Sequence, residues 1–175
     1  MAHILIVYST TDGQTLRICE HLQQNVQQQG HQATLIAIQR ASTTDLTAFD
    51  KIVVGASIRY GKHSPLVFDF VRKNESLLNR KTSAFFSVNV VARKPEKNTP
   101  DTNPYVVKFL SRVGWKPTRL GVFAGRIDYP KLGPGDRMII RFIMWMTKGP
   151  TDPKGTFEFT DWKKVEAFGQ VIAAM

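Results

Sequence analysis

An apolar strand over residues 3–8 passes without a spacer into Ser9-Thr10-Thr11-Asp12-Gly13-Gln14-Thr15, and a helical apolar pattern starts at Leu16. A strand-to-helix turn of this kind leaves the N–H groups of the first helical turn unpaired, at the end of the helix where the macrodipole favours an anion. Four hydroxyls and one glycine around that end form a cradle for a monophosphate. The loop has neither the lysine of a P-loop nor G-x-G-x-x-G spacing. The expectation is therefore a single terminal phosphate held by neutral donors, as on a mononucleotide cofactor. The competing reading is a set of ordinary N-cap and turn residues, for which Ser, Thr and Asp are common.

The chain has 175 residues, 42% of them hydrophobic, which suits one domain over residues 1–175 with a full core. Its one cysteine, Cys19, falls in the apolar pattern of the first helix with Ile18 and Leu22. That excludes a disulfide framework and a cysteine-rich metal site, and no metal is expected. No basic leader precedes the first strand. The longest apolar run, Met138 to Met146, is interrupted by Arg141 and falls short of the roughly 18–20 residues that cross a bilayer. The expected compartment is the reducing cytoplasm.

Strand and helix signals alternate, the mark of a mostly parallel sheet with helices on both faces. Strands are predicted at 4–8, 33–38, 52–56, 84–91 and 120–124, and helices at 15–29, 64–78, 104–113 and from a Thr160 cap to 174. A helical turn is predicted at 43–49, with Gly30 and Gly114 closing the helices before them. A phosphate on the first strand-helix turn selects sheet order 2-1-3-4-5, whose ligand lies beyond the strand ends at the switch point between strands one and three. The loop after strand three, Ser57 to His63, offers Tyr60 to lie against a planar cofactor, Gly61 for close backbone approach and Arg59 for charge. The loop after strand four, Asn89 to Pro100, is basic and reads as too rich in proline for regular structure.

The stretch Tyr8 to Thr15 resembles the phosphate loop of flavodoxins, with Asp12 where that pattern usually has Thr. Gly55-Ala56-Ser57-Ile58-Arg59-Tyr60-Gly61, Ser87-Val88-Asn89, Val91-Ala92-Arg93-Lys94-Pro95-Glu96-Lys97 and Thr160-Asp161-Trp162 are similar to the quinone-dependent protoporphyrinogen oxidases of the flavodoxin superfamily. The resemblance covers nearly the whole chain. It implies a flavodoxin-like α/β three-layer sandwich with a five-stranded parallel sheet, and FMN as cofactor. The residues it implies for FMN are Ser9, Thr10, Thr11, Asp12, Gly13, Gln14, Thr15, Ser57, Ile58, Arg59, Tyr60, Gly61, Ser87, Val88 and Asn89. It further implies six-electron oxidation of protoporphyrinogen IX to protoporphyrin IX in haem synthesis, with a respiratory quinone, menaquinone or ubiquinone, as acceptor. An electron-carrier flavodoxin and an NAD(P)H-quinone reductase on the same fold are the alternatives; the acidic surface usual in electron carriers argues against the first.

Charge bears on the choice. Net charge is +10; residues 51–100 carry 10 basic and 3 acidic side chains, and residues 101–150 carry 9 and 3. Such a sector attracts nucleic acid, an anionic membrane surface or a dicarboxylate. No nucleic-acid motif accompanies the charge, so nucleic acid is not an expected partner. Arg59, Lys62, Arg93, Lys94 and Lys97 are the candidates to pair with the two propionates of a porphyrinogen. A long insertion, roughly 125–156, follows strand five. Within it residues 135–148 read as an amphipathic helix with Arg137, Arg141 and Lys148 on one side and Met, Ile, Phe and Trp on the other. The expectation is peripheral attachment to the cytoplasmic face of the inner membrane. A helix packed on its own domain and a homo-oligomer contact are the readings left open. No catalytic base is identified; His63 is the one histidine near the crevice, and a surface or cap role competes with catalysis for it.

Overall fold

Four consecutive apolar residues, Ile4 to Val7, are fully buried, and they divide between two cores. Side chains of a strand alternate in direction, so an unbroken apolar run needs cover on both faces. The computed structural model describes residues 1–175. Its elements are β1 (His3–Ser9), α1 (Gln14–Gln28), β2 (Gln32–Ala37), β3 (Lys51–Arg59), β4 (Lys62–His63), α2 (Pro65–Arg80), β5 (Thr82–Val88), α3 (Pro104–Leu110), β6 (Arg119–Phe123), β7 (Arg126–Asp128), α4 (Pro134–Met146), β8 (Thr156–Glu158) and α5 (Trp162–Ala174). Leu5 and Val7 join Ile52, Val54 and Phe85 against α2 and α3; Ile4 and Ile6 join Val53, Ala84 and Phe86 against α1 and α5.

The parallel sheet has the order β2-β1-β3-β5-β6, which is the expected 2-1-3-4-5 once the two-residue β4 is set aside. Register brings Ser9 beside Ala56 and Ser57 beside Val88, so β1, β3 and β5 end together at one crevice. Close packing depends on Gly55, where a Cβ would collide with the Phe86 ring.

Several expectations change. Residues 57–59 are strand rather than loop, because Ile58 and Arg59 pair antiparallel with His63 and Lys62. The connecting residues Tyr60 (φ 49) and Gly61 (φ 75) are both left-handed, as a two-residue hairpin turn requires. Gly61 thus serves the turn, and a Cβ there would meet no protein atom within 4 Å. The predicted strand 84–91 ends at Val88. The Pro-containing loop after it forms two 3-10 turns, Val90–Arg93 and Pro95–Lys97, the first capped by the Asn89 carboxamide accepting from the Ala92 N–H. α3 ends at Leu110 rather than 113. Gly114 does not close it, but donates its N–H to Glu75 and accepts from Asn79 on α2. Asp161, not Thr160, caps α5: Asp161 Oδ1 accepts from the Lys163 and Lys164 N–H groups, while the Thr160 hydroxyl donates to the Ala124 carbonyl.

The insertion has a core of its own. β7 and β8 pair antiparallel with Ile127 opposite Phe157, and Ile127, Tyr129, Leu132 and Met144 are buried together. α4 starts at Pro134 with Asp136 in its first turn, both favourable at a helix N-terminus. No helix is long and apolar enough to cross a membrane.

Candidate functional site

The phosphate loop is shaped for a ligand rather than for capping. Gly13 at the N-cap of α1 has φ 87, and no side chain caps the helix. The first-turn N–H groups thus lack the side-chain acceptor that the N-cap reading requires. Thr10 Oγ1 accepts from the Gly13 N–H at 3.0 Å and braces the loop from within. Thr15 is fully buried on the first turn, and its hydroxyl has no hydrogen-bond partner. A buried hydroxyl without a partner costs about 1–3 kcal/mol, so it marks a place where an acceptor belongs. A phosphate at the uncapped helix end would supply one, so the residues present fit a terminal phosphate such as that of FMN.

From this loop an open crevice of about 940 Å³, mouth included, runs over the strand ends. Of the residues expected at a flavin, Thr10, Thr11, Asp12, Gln14, Thr15, Ser57, Ile58, Arg59, Tyr60, Gly61, Val88 and Asn89 line the crevice. Ser9, Gly13 and Ser87 do not; Ser9 and Ser87 are buried below it, while Gly13 supplies the left-handed turn. Gln14 divides its role, since its amide donates to Glu158 and Thr160 and ties α1 to the insertion.

Sequence reasoning missed one wall. Ile127, Leu132, Ile140, Ile143 and Met144 of the insertion, with Val90, Val91 and Tyr105, give the crevice an apolar side opposite the hydroxyls. The i, i+3, i+4 spacing of Ile140, Ile143 and Met144 carried that signal. Burial pushes the Tyr105 phenol pKa up, so it stays protonated. α4 also presents a second apolar face: Met138 is 70% and Trp145 69% exposed, with Ile139, Phe142 and Met146 beside them.

The cations are placed differently from one another. Arg59 donates to Asp12 and to Asp136, both at 2.8 Å, and Tyr60 donates to Asp136 as well; together they latch the phosphate loop to the start of α4. Arg93 donates to the carbonyls of Val90 and Thr147, tying the turn after β5 to the end of α4. Lys62, Lys94 and Lys97 do not line the crevice. Arg137 and Arg141, expected on the basic side of this helix, donate to carbonyls of Tyr129, Leu132 and Thr151 and secure α4 to its own subdomain. His63 is buried outside the crevice, its Nε2 hydrogen-bonded to Ser87 Oγ at 3.0 Å and its ring edge-on to Phe85 and Phe109. Burial lowers its pKa to about 4, which leaves it a neutral structural group at neutral pH.

Comparison with known proteins accords with this geometry. A family model described as a flavodoxin domain matches residues 5–154. The protoporphyrinogen IX dehydrogenase [quinone] of Escherichia coli is 43% identical over 97% of this chain and 93% of its own length. The enzyme of the same name from Leishmania major is 40% identical over 98% of this chain and 74% of its own. Among solved structures, oxidised flavodoxin 1 from Bacillus cereus superposes with a TM-score of 0.57 at 16% identity, over 99% of this chain and 98% of that one, which establishes the shared fold. The uncapped phosphate loop, the 2-1-3-4-5 sheet and these likenesses agree: the chain belongs to the flavodoxin family, in the branch that holds the quinone-dependent protoporphyrinogen IX dehydrogenases.

Proposed function

We propose that this protein oxidises protoporphyrinogen IX to protoporphyrin IX on a bound FMN and passes the electrons to a respiratory quinone. The observation that carries the reading is the 43% identity, over nearly the full chain, to a dehydrogenase of that name. The crevice supports it independently by joining a phosphate cradle to an apolar wall. FMN, when bound, accepts two electrons at a time, so the six-electron oxidation of the tetrapyrrole takes three rounds, each reducing one quinone to quinol.

The chain's own residues bind, orient and exclude water. The first-turn N–H groups of α1 and the Thr15 hydroxyl would hold the phosphate; Thr10 and Gly13 set the loop conformation. The hairpin tip at Tyr60 and the turn at Val90–Val91 border the space for the ring system. Ile127, Ile140, Ile143 and Met144 offer the apolar surface that a tetrapyrrole face needs, and they keep water from the reacting edge. The carboxylates lining the crevice, Asp12 and Asp128, are each engaged by an arginine, and we assign no general base.

The outer face of α4 supports attachment to an anionic membrane surface. Five exposed apolar side chains lie on it, with the exposed Arg141 on the same helix and Lys148 just past its end. Because the inner face of the same helix walls the crevice, seating the outer face in the lipid headgroups would bring a lipid-soluble quinone to the crevice mouth. Protein loaded with FMN and given a menaquinone analogue should raise porphyrin fluorescence from protoporphyrinogen faster than autoxidation. An electron carrier would bind FMN and show no such rate, and an NAD(P)H-quinone reductase would bleach its flavin with nicotinamide.

A further inference from the structure

Two arginines line the crevice, Arg59 and Arg126, and they are engaged differently. Arg59 has a carboxylate on each terminal nitrogen; Arg93 and Arg137 donate to backbone carbonyls, as does Arg141 through its Nε. Arg126, the first residue of β7, donates only from Nη2, to Asp128 Oδ2 at 3.1 Å. Its Nε is closed off from solvent and has no hydrogen-bond partner. A guanidinium has five N–H donors in a planar fork, so most of this one's capacity is unused. The side chain lines the main crevice, and it also lines an adjoining polar cleft walled by Thr11, Asp12, Gln14, Asp128 and Lys131. The Asp128 carboxylate is shared: it accepts from the Thr156 hydroxyl at 3.1 Å, and Lys131 Nζ lies 3.4 Å away.

We propose that Arg126 is an oxyanion-binding residue of this crevice, placed by the insertion beside the phosphate loop so that its unpaired terminal N–H groups receive an anionic oxygen of the bound ligand. The shared chemistry is a planar or tetrahedral oxyanion matching the guanidinium fork. Two sources present it at this position: the phosphate monoester of the mononucleotide, and a propionate carboxylate of the tetrapyrrole. The inference rests on the flavin and tetrapyrrole reading of the crevice. It differs from the sequence expectation, which put carboxylate recognition on Arg59, Lys62, Arg93, Lys94 and Lys97.

The test is two titrations of R126Q beside the natural protein. In the first, FMN is added to apoprotein and its fluorescence quenching gives Kd; in the second, FMN-loaded protein is titrated with protoporphyrin IX and with its dimethyl ester, read by tryptophan quenching. A rise of about 10- to 100-fold in the Kd for FMN assigns the contact to the phosphate. An unchanged FMN Kd with a similar loss for the diacid, and none for the diester, assigns it to a propionate. Unchanged affinity for both overturns the proposal. If R126Q does not fold, D128N decides: freeing the guanidinium from its carboxylate should tighten the same anion several-fold, and no tightening of either overturns the proposal. Failure of the natural protein to bind FMN would instead overturn the flavin reading, and the porphyrin pair, titrated on the apoprotein, would then judge Arg126 alone.

Discussion

Replacing Thr15 with Val should have opposite effects on the empty and the loaded protein. Valine has nearly the shape of threonine, so the packing of this fully buried position is kept while the hydroxyl is lost. In the empty protein that hydroxyl has no partner, and an unsatisfied buried polar group costs about 1–3 kcal/mol; T15V should raise apoprotein stability by that order. For a chain of this size each kcal/mol is worth about 2–4 °C, so the melting temperature should rise by roughly 2–12 °C. In the loaded protein the same hydroxyl would donate to a charged phosphate, a bond worth about 1.5–3 kcal/mol, so the Kd for FMN should rise roughly 10- to 150-fold. T15S keeps the donor and should leave FMN affinity within a few-fold. Calorimetry of the apoprotein and fluorescence titration with FMN read the two effects separately. A stabilised apoprotein with unchanged FMN affinity would refute the assignment of the phosphate to this loop, and a destabilised apoprotein would refute the claim that the hydroxyl is unsatisfied.

Because burial holds His63 at a pKa of about 4, the unfolded chain takes up a proton as pH falls through 6.5 and the folded chain does not until about 4. Stability should therefore drop by about 3 kcal/mol over that window and stay level above it, and H63Q should flatten this part of a denaturant-midpoint profile. G55A puts a methyl against the Phe86 ring and should cost about 1–3 kcal/mol in chemical denaturation, with G55A/F86L recovering part of the loss. W145E on the exposed face of α4 should weaken binding to anionic liposomes by about 2 kcal/mol, roughly 30-fold, and leave FMN affinity unchanged; equal flotation would reassign that face.

The sheet was legible because its strands are apolar runs that only a two-sided cover can bury, as Ile4 to Val7 and Ile52 to Val54 show. The phosphate loop was legible because hydroxyls, a glycine and a helix start fall in one short segment. Long-range pairing was not. β7 and β8 are three residues each and lie 27 residues apart, so neither carries a periodic signal, and β4 exists only because Arg59 and Ile58 turn back on it. Arg126 escaped notice for the same reason: an isolated arginine carries no pattern, and only the fold shows that its guanidinium lines the crevice with unpaired donors. Conversely, Arg59 and Arg93 looked free in the sequence, but their partners, Asp136 and Thr147, arrive from α4 and the turn that ends it, more than fifty positions away.

Flavin-mediated transfer from a porphyrinogen to a quinone is read out by anaerobic turnover, which removes the oxygen that oxidises porphyrinogens unaided. With FMN bound, protoporphyrinogen IX and a menaquinone analogue should give porphyrin fluorescence and three quinols for each porphyrin formed. Porphyrin formation no faster than in protein-free controls, with the flavin still bound and reducible, would contradict it.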